Sequence, residues 1–114
     1  MITAIVRYRL PAHIDHDACL AHFTMISPGF REVPGLISKH FIWSETGTAG
    51  GVYQWETLEA AKAFYSGPWR DGIIERYGMA PEIEFFKVFC VTDNAAGTVE
   101  VKSAPLAPSQ ARAA

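Results

Sequence analysis

The chain has 114 residues, 49% of them hydrophobic and 19% charged, which makes one folded domain and excludes a disordered chain. A formal net charge of −2 leaves no basic footprint for nucleic acid or an anionic membrane surface. Seven Phe, four Tyr and three Trp are a heavy aromatic load for this length, and predict a large core, an aromatic-lined cavity, or both.

The opening run alternates, with Ile2, Ala4, Val6 and Tyr8 on one side and Thr3, Ile5, Arg7 and Arg9 on the other, the period of a strand. Its apolar part is far too short for a signal segment or a membrane span, so a soluble cytoplasmic protein is expected. Pro11 ends the strand. Asp15 or Asp17 then caps a helix carrying Cys19, Leu20, Phe23, Met25 and Ile26 along one side. Pro28-Gly29 stops or resets that helix, and Phe30 to Val33 predicts a short turn before Pro34-Gly35. Leu36 to Ser44 and Gly51 to Trp55 predict an antiparallel hairpin across the polar link from Glu45 to Gly50. Gly50 and Gly51 would supply positive φ or a bulge where it closes.

Thr57 caps a second helix, with Leu58, Ala61, Phe64 and Tyr65 on its buried side. Gly67-Pro68 breaks it, and a short helix from Trp69 to Tyr77 ends at Gly78. Pro81 precedes the last strand, Glu82 to Thr92. From Ala95 the composition turns to Ala, Pro, Ser, Gln and Gly, which divides the chain into a domain of residues 1–94 and a tail of residues 95–114. Thr98 to Lys102 is the one piece of the tail suited to a short edge strand. Cys19 and Cys90 match no metal spacing, and read as buried free thiols of a reducing compartment.

The order β-α-β-β-α-β predicts an α+β, ferredoxin-like domain: a four-stranded antiparallel sheet with both helical segments on one face. The strands are apolar on both sides. The uncovered face would therefore expose aromatics, and a second copy packed sheet to sheet covers it. The other way to cover it is a tail folded back in a monomer. On the dimer reading the functional pocket lies on the sheet face away from the helices.

The run Pro34-Gly35-Leu36-Ile37-Ser38-Lys39-His40-Phe41-Ile42-Trp43, then Gly50-Gly51-Val52-Tyr53-Gln54-Trp55-Glu56, then Glu59-Ala60-Ala61-Lys62-Ala63-Phe64, resembles the YdhR-like monooxygenases of the dimeric α+β barrel superfamily. The segments Tyr77-Gly78-Met79-Ala80-Pro81 and Val91-Thr92-Asp93-Asn94 are similar to that family too. The resemblance runs from about residue 2 to residue 94. It implies a homodimer and a monooxygenase that uses neither flavin nor metal on a small aromatic or polyketide-like molecule. Haem-degrading members of the superfamily use an Asn near the first strand and a His on a helix. Here Asn94 is the only Asn and no His follows His40. A non-catalytic dimeric protein that binds small hydrophobic molecules, or serves a stress response, is the alternative from another class.

Three residues carry candidate chemistry. Lys39, amid an apolar strand, is either a base and anion holder in a pocket or an edge-strand lysine that deters aggregation. His40 lies on the opposite parity and is an acid–base candidate if that side faces the cavity. Tyr53 offers a hydroxyl to a substrate oxygen. Arg7 is either a second pocket cation or half of an inter-subunit ion pair. Phe41, Trp43, Trp55, Tyr65, Trp69 and Phe86 are candidate apolar walls, with Tyr65 and Trp69 near a mouth at Gly67-Pro68. Lys39 and Trp43 share one strand face and are expected to line one cavity. His13, His16 and His22 do not share a helical metal-binding face, so no metal site is expected. No phosphate loop, nucleotide fingerprint or Ser-His-Asp arrangement is present.

Overall fold

A computed structural model describes residues 1–106; residues 107–114, the end of the expected tail, lie outside the described residues. The elements in order are β1 (Ile2–Arg9), α1 (His16–Ile26), a 3-10 segment (Ser27–Glu32), β2 (Leu36–Trp43), β3 (Thr48–Trp55), α2 (Leu58–Phe64), α3 (Pro68–Tyr77), β4 (Glu82–Lys87), β5 (Cys90–Asp93) and β6 (Thr98–Val101). β2, β3, β1 and β4 form one sheet in that order, with every neighbouring pair antiparallel. This is the α+β, ferredoxin-like arrangement.

Local chemistry sets the helix ends. Asp15 caps α1 by accepting from the Ala18 N–H at 2.9 Å, and Thr57 caps α2 by accepting from the Ala60 N–H at 3.1 Å. Pro68 opens α3 at its first position, where a missing N–H costs nothing, and Gly78 closes it with φ of 75°. Of the apolar side expected for α1, only Cys19 and Phe23 are buried, while Leu20 and Met25 are exposed.

The sheet's two faces differ sharply. Ala4, Val6 and Tyr8 of β1, Ala49, Tyr53 and Trp55 of β3, and Ile83 and Phe85 of β4 point under the helices into the core. Trp55 is fully buried, and its indole N–H donates to the Tyr65 hydroxyl at 3.0 Å, so the largest core side chain keeps its polar atom satisfied. The other face carries Thr3, which donates to the Gln54 side-chain oxygen at 2.7 Å, and Arg7, 4.0 Å from Glu84. The aromatics expected on both faces are therefore nearly all on one: Phe86 is the aromatic of the uncovered face.

Three expectations are corrected. The hairpin closes at Ser44–Gly47, where Gly47 has φ of 87°, so β3 begins earlier and Gly50 and Gly51 lie inside it without positive φ. The irregularity falls in β2 instead, where pairing to β3 shifts between Leu36 and Ser38. The last strand is not continuous: it breaks at Val88-Phe89, and β5 leaves the sheet to pair with β6 in a separate hairpin. The Val88 N–H donates to the Met1 carbonyl at 3.1 Å and the Ser103 hydroxyl to the Val88 carbonyl at 2.8 Å, which pins the hairpin's root. Cys90, expected to be buried, is carried out on this hairpin and exposed, whereas Cys19 is buried.

Candidate functional site

Between the sheet and the helices lies a cavity of about 320 Å³. Val6, Tyr8, Lys39, Gly51 and Tyr53 form its sheet side; His22 and Phe23 of α1, Phe30, and Trp69, Ile73, Arg76 and Tyr77 of α3 form the other. Glycine at 51 is what leaves room there. A Cβ on Gly51 would lie 2.8 Å from the Tyr53 ring and 2.9 Å from the Lys39 Cε.

Lys39 is the unusual group. Its Nζ lies 3.7 Å from the Phe30 ring centre, 3.7 Å from that of Phe41 and 4.6 Å from that of Tyr53. Among the described residues the ion pairs are Arg7–Glu84, His16–Asp17 and Lys102–Glu100, so Lys39 has no carboxylate. Ring faces favour the ammonium by about 0.5–2 kcal/mol each, whereas taking an unpaired ammonium out of water costs several. Desolvation wins, and burial lowers the Lys39 pKa to about 7. Both the amine and the ammonium are thus populated at neutral pH.

Apart from the Arg76 guanidinium, the neighbouring polar groups are neutral. Burial pushes the phenols of Tyr8 and Tyr53 well above their ordinary value, so both keep their protons. Burial, with Arg76 beside it, lowers the pKa of His22, which leaves that imidazole neutral at pH 7. The cavity therefore offers one switchable amine, uncharged hydroxyl donors, the Arg76 guanidinium and apolar walls: a place to deprotonate a weak carbon or oxygen acid and hold the resulting anion.

The structure divides the residues singled out from sequence. Lys39, Tyr53 and Trp69 line this cavity, and Phe41 flanks Lys39. Trp55 and Tyr65 stand behind Tyr53, with ring centres 6.0 and 5.2 Å from it. Trp43 shares the strand face of Lys39 but not its cavity. It lies 4.8 Å from the His16 ring in an outer groove of about 270 Å³ along α1. His40, Arg7 and Phe86 are on the uncovered face and do not join the others, because their strand parity turns them away from the helices. The cavity that Lys39 and Tyr53 line lies under the helices, whereas the functional pocket was expected on the face away from them. Sequence reasoning missed Tyr8, His22, Phe30, Arg76 and Tyr77. Helical spacing from Cys19 through His22 to Ile26 was the signal available for His22. Among the described residues no cluster of three or more His, Cys, Asp or Glu could hold a metal ion, and no helix is long and apolar enough to cross a membrane.

No protein-family model matches the sequence, and no curated protein sequence matches it. Solved structures do resemble the fold. A Deinococcus radiodurans protein assigned to the antibiotic biosynthesis monooxygenases superposes with a TM-score of 0.62 at 14% identity, over 82% of this chain and 97% of that one. The Mycobacterium tuberculosis heme-degrader MhuD, solved with two hemes in its active site, gives 0.64 at 17% identity over 82% and 100%. A Streptomyces coelicolor monooxygenase in complex with nanaomycin D gives 0.59 at 19% identity over 93% and 91%. Similarity this low carries the architecture and nothing of the chemistry. The chain has the ferredoxin-like α+β fold found in antibiotic-biosynthesis-monooxygenase structures.

Proposed function

We propose that the protein is a cytoplasmic, homodimeric monooxygenase that acts without flavin or metal on a small aromatic or polyketide-like molecule in the cavity beneath the helices. One observation carries the reading: Lys39, an amine with no counter-ion among the described residues, sits in an aromatic cavity with both of its protonation forms populated. A phenolic or enolic substrate gives its proton to the Lys39 amine, and the ammonium and the Tyr53 hydroxyl hold the anion. The substrate carbanion then passes electrons to dioxygen and forms a C–O bond. The peroxide takes a proton back from Lys39; loss of the remaining C–H proton and of water leaves the carbonyl product. The nanaomycin-bound Streptomyces monooxygenase supports the substrate class by its fold alone.

Oxygen uptake by EDTA-treated protein with hydroquinones and anthrones tests this. Lys39→Ala is expected to lose about a hundredfold or more of the rate, within the usual range for a lost general base. His40→Ala, altered on the far face, is expected to keep it. Tight binding of these compounds with no uptake by wild type would replace the reading with that of a non-catalytic binding protein.

The dimer has its own support. β5 and β6 pair Cys90 with Val101 and Thr92 with Val99, which puts these four on one side of the hairpin. Val99 is 71% exposed and Val101 78%, an apolar side that the other described residues leave open. An exposed Cys90 thiol suits a reducing cytoplasm. Light scattering is expected to give twice the chain mass for wild type and a single chain mass for Val99→Asp/Val101→Asp. A monomeric wild type overturns the dimer.

A further inference from the structure

Lys39 is reachable from two directions. It borders the inner cavity and also an outer groove of about 370 Å³, formed with Ser27, Phe30, Arg31, Leu36 and Ile37. Its amine takes part in no ion pair among the described residues and rests against ring faces alone. The titratable groups that face that cavity with it are Tyr8 from β1, His22 from α1, Tyr53 from β3, and Arg76 and Tyr77 from α3. None of them is a carboxylate that would fix the ammonium.

We propose that Lys39 is a carbonyl-reactive amine that captures aromatic aldehydes or ketones of the cavity as a covalent imine. The Lys39 nitrogen lone pair adds to the carbonyl carbon, the C–N bond forms, and the carbonyl oxygen takes a proton. The carbinolamine then loses the nitrogen-bound proton and its hydroxyl as water, leaving C=N. No electron is gained or lost, and no co-reactant is needed. The cavity favours each stage: flat rings of Phe30, Tyr53 and Trp69 pack on an aromatic carbonyl compound, apolar walls disfavour the released water, and the Tyr53 hydroxyl donates to the leaving oxygen. A lowered proton affinity at Lys39 supplies the free amine at neutral pH, where an ordinary lysine is almost wholly ammonium. The adduct forms whether or not dioxygen is consumed, so this inference goes beyond the oxygenase reading and survives its failure.

The test uses the other three lysines, Lys62, Lys87 and Lys102, all exposed, as internal controls. The full chain is treated with 2-naphthaldehyde and sodium cyanoborohydride at neutral pH, which fixes imines as secondary amines, and each lysine is read by peptide mass spectrometry. Lys39 is expected to be labelled about tenfold faster than the others, or more, given the far larger free-amine fraction at a pKa near 7. That preference is expected to vanish in urea. Lys39→Arg, which keeps the charge and the stem, is expected to leave only the slow background. Equal labelling of all four lysines, an unlabelled Lys39, or a preference that persists in urea each overturns the proposal.

Discussion

Lys39→Met is expected to make the protein more stable while it destroys the site. Methionine keeps the length of the stem, packs against Phe30, Phe41 and Tyr53, and removes a cation that has no counter-ion among the described residues. The gain at and below neutral pH is about 1–3 kcal/mol, the scale on which apolar replacement of buried charge stabilises a fold, and several degrees in Tm. Its pH dependence has a definite sign. Between about 7, the Lys39 value in the folded protein, and 10.5, its ordinary value, the unfolded chain binds a proton that the folded chain does not. Stability of the wild type therefore rises with pH across that window, and the variant lacks the rise. Above pH 10 both proteins lose stability, because Tyr8, Tyr53 and Tyr65 hold their protons in the fold while the unfolded chain releases them. Urea unfolding of both proteins from mildly acidic to strongly alkaline pH reads all of this. A variant that melts lower than wild type at every pH would mean that Lys39 is favourably held as the ammonium, and the base role would fall with it.

Gly50→Ala is expected to be the most damaging single methyl in the chain. A Cβ there would lie 1.8 Å from the Val6 carbonyl oxygen and 2.7 Å from its carbon. Both atoms belong to the backbone of β1, which lies between β3 and β4, so relief requires prying apart the centre of the sheet. The cost is about 3 kcal/mol or more, seen as a collapse of the urea midpoint or loss of soluble protein. Gly51→Ala meets the end of the Lys39 stem and the Tyr53 ring instead. It is expected to fold and to bind aromatic ligands more weakly, because it fills the cavity. If Gly50→Ala unfolds at the wild-type urea concentration, the close approach of β1 and β3 is wrong.

Much of the fold was legible because its signals were local. Alternation in Ile2 to Arg9, the Asp15 and Thr57 caps, Pro68 and Gly78 each act over a few residues, and each marks an element the structure contains. The side of the sheet was not legible. The pairing shift between Leu36 and Ser38 puts Leu36, Lys39, Phe41 and Trp43 on the helix side, a set that strict alternation from Leu36 cannot give. A bulge leaves no composition mark, so which of Lys39 and His40 faced the cavity had no sequence answer. The break at Val88-Phe89 is silent for the same reason, since neither residue is a turn former. Its hairpin turn was written more plainly. Asp93 accepts from the Ala96 N–H at 3.1 Å and Gly97 has φ of 70°, both familiar marks of a tight reversal.

The three tryptophans give the molecule built-in lamps at three depths. Trp55 is shut away from water, Trp69 looks into the cavity, and Trp43 is 40% exposed at the sheet's edge. Light emitted by each answers to a different event: loss of the core, arrival of a ligand, or a change at the outer groove. Binding, unfolding and surface association can thus be followed by colour and intensity, without attaching a dye.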